Sequence, residues 1–204
     1  MKKLLLIVGG ESTAITIRET AELAFASEYD TYMNVVSDLS SCIYSYITDS
    51  QLDVFVKDFT EVHYIIGFTN LNLRVKFQNI YSSKGFKMVN VIHPTATIFP
   101  SAKIGQGNYI ACNAIISSCA RIGNGCLINY NVSVGHDTIV GDNCALNPGC
   151  RIGGCSKIGK GCLIGANSFV FQGVSIADEC KIDAMMYIKH DITETKILRN
   201  PNRI

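Results

Sequence analysis

Histidine, the side chain that titrates nearest neutral pH, occurs only four times in the 204 residues. One of the four, His136, lies in the stretch NYNVSVGHDTIVGD (129–142) and is followed at once by Asp137. An imidazole with an ordinary pKa of about 6.5 can take a proton from an attacking group and give it back, which makes it a candidate general base. The neighbouring carboxylate can fix its tautomer, although adjacent side chains on a strand point to opposite faces. No cysteine or serine stands beside His136 in the sequence as an acyl carrier, so a direct transfer is expected rather than a covalent intermediate. Gly154 follows His136 by 18 residues, and a glycine there leaves its backbone N–H open to approach.

The elements that must hold these residues are written in a six-residue period. Every sixth position from Ile98 to Ile188 is Ile, Val or Leu, without a slip, and Ile92 extends the phase backwards. Glycine follows the aliphatic residue at 105, 123, 135, 141, 153, 159 and 165, where it is expected to turn a corner. This is the hexapeptide signature of a parallel β-helix, in which three hexads make one triangular coil and coils stack about 4.8 Å apart. His136 and Gly154 then share one place on the triangle, one coil apart, with His136 pointing outward. Two positions before each aliphatic residue stands a generally small one. Cys126, Cys144, Cys162 and Cys180 recur at 18-residue steps and are expected to stack as buried fillers. The remaining cysteines include Cys42, Cys112, Cys119 and Cys155, which show no metal-ligand spacing. No loop interrupts the phase from 98 to 188, so a ligand must be held by the faces or by a neighbouring subunit. Residues 189–204 should cover the far end.

Residues 1–90 follow another pattern. Leu4–Val8 reads as a buried strand, Gly9-Gly10-Glu11-Ser12 as a turn with Ser12 as helix N-cap, and 13–26 as a helix. Strands are expected near 31–36, at His63–Phe68 and at Phe86–Ile92, and a helix over 70–84, with a weakly marked region before 60. Alternating strands and helices point to a small Rossmann-like α/β unit. The fold class is therefore mixed: a Rossmann-like domain at 1–90, joined directly to a β-helix domain at 91–204. A net charge of +1 with 17% charged residues offers no stripe for nucleic acid. The apolar start is shorter than a signal-peptide core, no window approaches a bilayer span, and a cytoplasmic setting is expected.

Taken together, the strand–GG–helix start, IIGFTNLNLR (65–74), VIHPTATIFPSAKIG (91–105), the hexads with VGHD (134–137) and the end NPNRI resemble the PglD/NeuD-type sugar acyltransferases over nearly the whole chain. The resemblance implies a left-handed β-helix and a homotrimer with the active site between subunits. It implies transfer of acetyl from acetyl-CoA, with no metal, to the 4-amino group of a UDP- or dTDP-linked 4-amino-4,6-dideoxyhexose for a bacterial surface polysaccharide such as an O-antigen. His136 would be the base, Asp137 its carboxylate, and the Gly154 N–H the oxyanion donor. The cofactor would run past Gly154, Ala166 and Ala184. The nucleotide sugar would meet Gly9, Gly10, Asn34, Gly67, Asn70 and Asn129, with Arg74 completing the G-x-x-N…R stretch. Three positions depart from the family: GGESTA replaces its glycine-rich finger with an internal histidine, Ala145 replaces a second histidine, and Asp183-Ala184 replaces small residues.

Other readings stand beside this one. An O-acetyltransferase acting on sialic acid or another sugar uses the same array, and a comparison of amine with hydroxyl acceptors separates the two. A β-helix metal hydratase needs three converging histidines, and among His63, His93, His136 and His190 only His136 lies mid-array. A non-enzymatic β-helix would show repeated Thr ranks on one face, which are absent.

Overall fold

Each hexad becomes a two-residue strand followed by a turn, and strands 18 residues apart pair in parallel. Ile116 lies against Val134, Val134 against Ile152, and Ile152 against Val170. Ile122, Val140 and Ile158 pair in the same way on a second sheet, and Ile128, Leu146 and Ile164 on a third. Three parallel sheets thus share one interior, which fits a left-handed β-helix of hexapeptide repeats. The inward aliphatic residues are nearly all buried, from Ile110 through Ile188. In this computed structural model residues 2–37, 40 and 42–201 are described, and the chain divides into two compact units, 1–94 and 95–204.

What turns each corner differs from the sequence expectation. The glycines next to the aliphatic residues keep ordinary negative φ; the left-handed residue comes two positions later. From 107 to 185 every sixth residue has positive φ, and the set is mostly Gly and Asn, including Gly107, Asn113, Gly125 and Asn131. Those two residue types enter this region at least cost. Asp137 at φ 57° and Cys155 at φ 58° occupy the same place in their hexads. The glycines beside the aliphatic residues serve close packing instead: a Cβ on Gly135 would stand 2.5 Å from Gly154 N, and one on Gly141 2.7 Å from Lys160 N.

The small-residue column does more than fill space. Cys126, Cys144, Cys162 and Cys180 are wholly buried, as expected. Cys144 Sγ also donates to Gly159 O at 3.0 Å and Cys162 Sγ to Ala177 O at 3.1 Å. Ser156, Ser168 and Thr138 make the equivalent bonds with hydroxyls, each at 2.9 Å. Each such bond satisfies a corner carbonyl on the next coil, whose burial would otherwise be costly. Burial pushes the Cys150 thiol up to about 12, so it stays a thiol. Near the end of the array the spacing drops from 18 to 16, with Lys181 and Ile182 pairing with Ile197 and Leu198.

The first unit is a parallel five-stranded sheet. Its elements are β1 (Lys3–Val8), α1 (Ser12–Phe25), β2 (Thr31–Val36), β3 (Tyr46–Thr48), α2 (Leu52–Phe55), β4 (Glu61–Ile66), α3 (Leu71–Ser83) and β5 (Lys87–Met88). The strand order is β3-β2-β1-β4-β5, the order in which a doubly wound sheet reverses direction between its first and fourth strands. Leu4, Leu5, Leu6 and Ile7 are wholly buried at its centre. Strand β3 and helix α2 fall in the region where the sequence is weakly patterned, because three residues of strand and four of helix are too short for a period to show. The N-cap of α1 is Glu11 rather than Ser12, and the strand expected over Phe86–Ile92 is two short strands, β5 and Val91–Ile92.

At the starting ends of β1 and β4, His63 accepts or donates at 2.6 Å to the Tyr29 hydroxyl through Nδ1 and lies 3.1 Å from Glu61 through Nε2. Lys3 and Lys87 also face Glu61, at 3.8 and 3.7 Å. Burial, partly offset by Glu61, holds the His63 imidazole below its ordinary value of 6.5. The unfolded chain therefore binds the extra proton first, and this contribution to stability is complete above 6.5 and is lost as pH falls below it. The midpoint of urea unfolding should drop between about pH 7 and pH 5, and His63→Gln should flatten that slope; equal slopes in the two proteins would refute the assignment.

Candidate active site

The corner after Ser133–Val134 builds the site. Val134 is buried, Gly135 packs on the next coil, and His136 leaves the corner with its side chain 55% exposed. Its ring crosses the glycine one coil on: a Cβ on Gly154 would come 2.6 Å from Nε2 and 2.9 Å from Cδ2 and Cε1. Gly154 thus leaves room for the ring in this position, a role the sequence did not suggest. Its own N–H donates to no atom among the described residues, and the residue is buried beneath the ring.

Asp137 does reach His136, contrary to the alternation expected of a strand. Oδ2 is 2.9 Å from Nδ1, because the pair sits at a turn and the left-handed backbone at Asp137 swings its side chain to the same side. With Nδ1 engaged by the carboxylate, Nε2 is the nitrogen left to exchange a proton with a substrate. A cysteine absent from the sequence neighbourhood of His136 does come near it in space: Cys155 Sγ lies 4.0 Å from Nδ1. It is 19 residues away in sequence, and only the 18-residue stacking of coils brings it near. A search for the 18-residue step, applied to Asp137 rather than to the buried column, would have found it.

The other expected site residues lie elsewhere. Asn129 sits one corner earlier, where its side chain accepts from Tyr130 N at 2.9 Å. Further along that same edge, a groove of about 540 Å³ is lined by Asn147, Pro148, Gly165, Ala166, Asp183 and Ala184, among others. Ala166 and Ala184 therefore share a groove, and His136, Asp137 and Gly154 share the next edge. Ala145, where the family has a second histidine, is buried.

In the first unit a cavity of about 680 Å³ opens at the carboxyl ends of β1, β2 and β4, lined in part by Gly9, Gly10, Gly67 and Asn70. That is the reversal point between β1 and β4, where open α/β sheets bind ligands. Gly9, at φ 126°, and Gly67, whose Cβ would stand 2.7 Å from that of Ala14, are tightly placed against α1. Asn70 caps α3 by accepting from Leu73 N at 3.1 Å. Asn34 is buried and turned inward, donating to Gly9 O at 2.8 Å and accepting from Arg18 at 3.3 Å, so Val35, Val36 and Ser37 line the cavity in its place. Arg74 is also buried, donating to Ile66 O and Phe68 O. Among the described residues, Glu11 and Asp49 are the charged ones in the lining. No helix among the described residues is long and apolar enough to cross a membrane.

Against known proteins, residues 119–154 and 137–172 match the model of the bacterial transferase hexapeptide (six repeats), and 157–189 match the hexapeptide repeat of succinyl-transferase. No curated protein matches by sequence. Among solved structures, WeeI from Acinetobacter baumannii AYE superposes with TM-score 0.88 at 18% identity, covering 99% of each chain. A histidine-to-asparagine mutant of perosamine N-acetyltransferase from Caulobacter crescentus, in complex with CoA and GDP-perosamine, gives 0.84 at 23% identity over 92% of this chain and 89% of that one. The acetyltransferase domain of PglB from Neisseria gonorrhoeae FA1090 gives 0.83 at 22%, over 94% and 93%. At these identities the likeness is one of fold. Substituting Gly154→Ala should leave the fold intact and push the imidazole off the corner, as a crystal structure of the variant would show; an unmoved ring would contradict the packing.

Proposed function

We propose that this chain, which in repeat and in fold groups with the PglD/NeuD-type hexapeptide acyltransferases, transfers an acetyl group from acetyl-CoA to the amine of a nucleotide-linked amino sugar. One observation carries the reading: a solvent-facing imidazole, fixed at Nδ1 by Asp137, lies over a glycine whose N–H is unpaired. The arrangement has the parts that acyl transfer to an amine needs. His136 Nε2 takes the proton of the attacking amine. The Gly154 N–H receives the oxyanion of the tetrahedral intermediate, where one donor is worth about 10² to 10³ in rate. CoA leaves as the thiol.

Ala166 and Ala184, with little side chain to obstruct it, suit the groove to a narrow pantetheine arm. This groove follows one edge of the prism and His136 the next, which favours a homotrimer in which the groove of one copy meets the histidine of another. The Rossmann-like strand order and the cavity at its reversal point suit a nucleotide. CoA or acetyl-CoA is bound in structures sharing the fold, and one such protein also holds GDP-perosamine. A UDP- or dTDP-linked 4-amino-4,6-dideoxyhexose is the substrate we favour, with acetyl transfer to a sugar hydroxyl as the rival. Cys155 brings a thiol near the base, but on the Nδ1 side that Asp137 already holds, so direct attack remains the proposed route.

The test is an acetyl-CoA assay over UDP-, dTDP- and GDP-linked amino sugars and their hydroxyl-only analogues. Amine acceptors should turn over, and His136→Asn should lower kcat/KM by about 10² to 10⁴. Wild-type turnover in the variant would refute the base, and turnover of hydroxyl acceptors alone would move the reading to O-acetylation.

A further inference from the structure

Asp137 and Cys155 hold the same hexad position on consecutive coils, both in the left-handed conformation, so their side chains leave the same edge of the prism side by side. The His136 imidazole lies with them. A nitrogen, a carboxylate oxygen and a sulfur from these three residues all fall within 4.8 Å of one another. Each side chain is exposed. Their backbones are tied together, since Cys155 N donates to His136 O at 2.8 Å.

That donor set has a chemical preference. Calcium and magnesium take oxygen ligands, whereas thiolate and imidazole together select zinc and its neighbours. Zinc bonds of about 2.0 to 2.3 Å at tetrahedral angles would set the donor atoms roughly 3.3 to 3.8 Å apart. The 4.0 Å between Cys155 Sγ and His136 Nδ1 and the 2.9 Å between Nδ1 and Asp137 Oδ2 lie on either side of that spacing, each within a few tenths of an ångström of it. Three protein ligands leave a fourth position for water.

We infer that His136, Asp137 and Cys155 form a binding site for a zinc-class divalent cation, and that filling it switches the imidazole off as a base. On binding, the thiol loses its proton to solvent and the metal takes the lone pair of Nδ1. The ring proton then resides on Nε2, which has no lone pair left to accept one from a nucleophile. The switching half rests on the reading of His136 as the base; the binding half does not.

Cobalt(II) is the probe, added to the chelator-treated full-length protein. One cobalt per chain should bind with a thiolate-to-cobalt charge-transfer band that zinc abolishes. The band should vanish in Cys155→Ser and persist in Cys119→Ser, whose thiol sits two coils before Cys155 in the same column. Absence of the band in the wild-type protein, or its survival in Cys155→Ser, overturns the site. In the acetyl-transfer assay, the zinc concentration that halves each protein's own metal-free rate should rise more than about tenfold in Cys155→Ser, the scale of even an outer-shell change at a metal. A normal cobalt band with turnover indifferent to zinc overturns the switch. Should no acceptor be acetylated, the proposed function fails, and the cobalt spectrum still decides the site.

Discussion

The left-handed residue at every sixth position is the constraint from which the second unit follows. It turns the chain at each corner, and three such turns return it above its starting point, so strands 18 residues apart pair in register. Stacking at that step converts distant sequence positions into neighbours. His136 meets Gly154, and Asp137 meets Cys155, only because the step is unbroken between them. A single-residue insertion between 136 and 154 would turn one partner away from the other, since a one-residue slip exchanges the faces of a strand.

The same corners pack the site closely. Buried thiols and hydroxyls bond corner carbonyls on the next coil, and the glycines beside the aliphatic residues allow backbones to approach where a Cβ would collide. A catalytic group is useful only if held to within a fraction of an ångström, and a corner locked from both sides offers that. Backbone strain alone does not mark the site. Cys119, Glu179 and Met185 are also non-glycine residues in the left-handed region, and none of them lies against an imidazole. What distinguishes Asp137 is that its strained backbone aims a carboxylate at Nδ1.

The first unit uses a different device to make a cavity. Its sheet reverses winding between β1 and β4, so the segments that follow those strands part and leave an opening at their carboxyl ends. Asn34 and Arg74 are buried beneath it, tying Gly9, Ile66 and Phe68 into position. Their polar groups shape the loops rather than face the opening. Among the described residues of the lining, Glu11 and Asp49 carry charge.

How much was legible in the sequence depends on whether the signal was periodic. The inward aliphatic residues, the buried cysteine column and the outward His136 could be read directly, because a period of six and a step of 18 are properties of the chain itself. Helices α1 and α3 and the central strands were legible for the same reason, being long enough to display a pattern. The short β3 and α2 were not. Neither was the corner, which the glycines next to the aliphatic residues suggested one place and the backbone puts two residues later, since φ is not written in residue type where Asp, Cys, Glu and Met adopt it. The contacts that give the site its chemistry, Asp137 on Nδ1, Cys155 beside it and the ring over Gly154, were decided by tertiary structure. They depend on side chains from successive coils sharing a few ångströms, and only the stacked coils fix those separations.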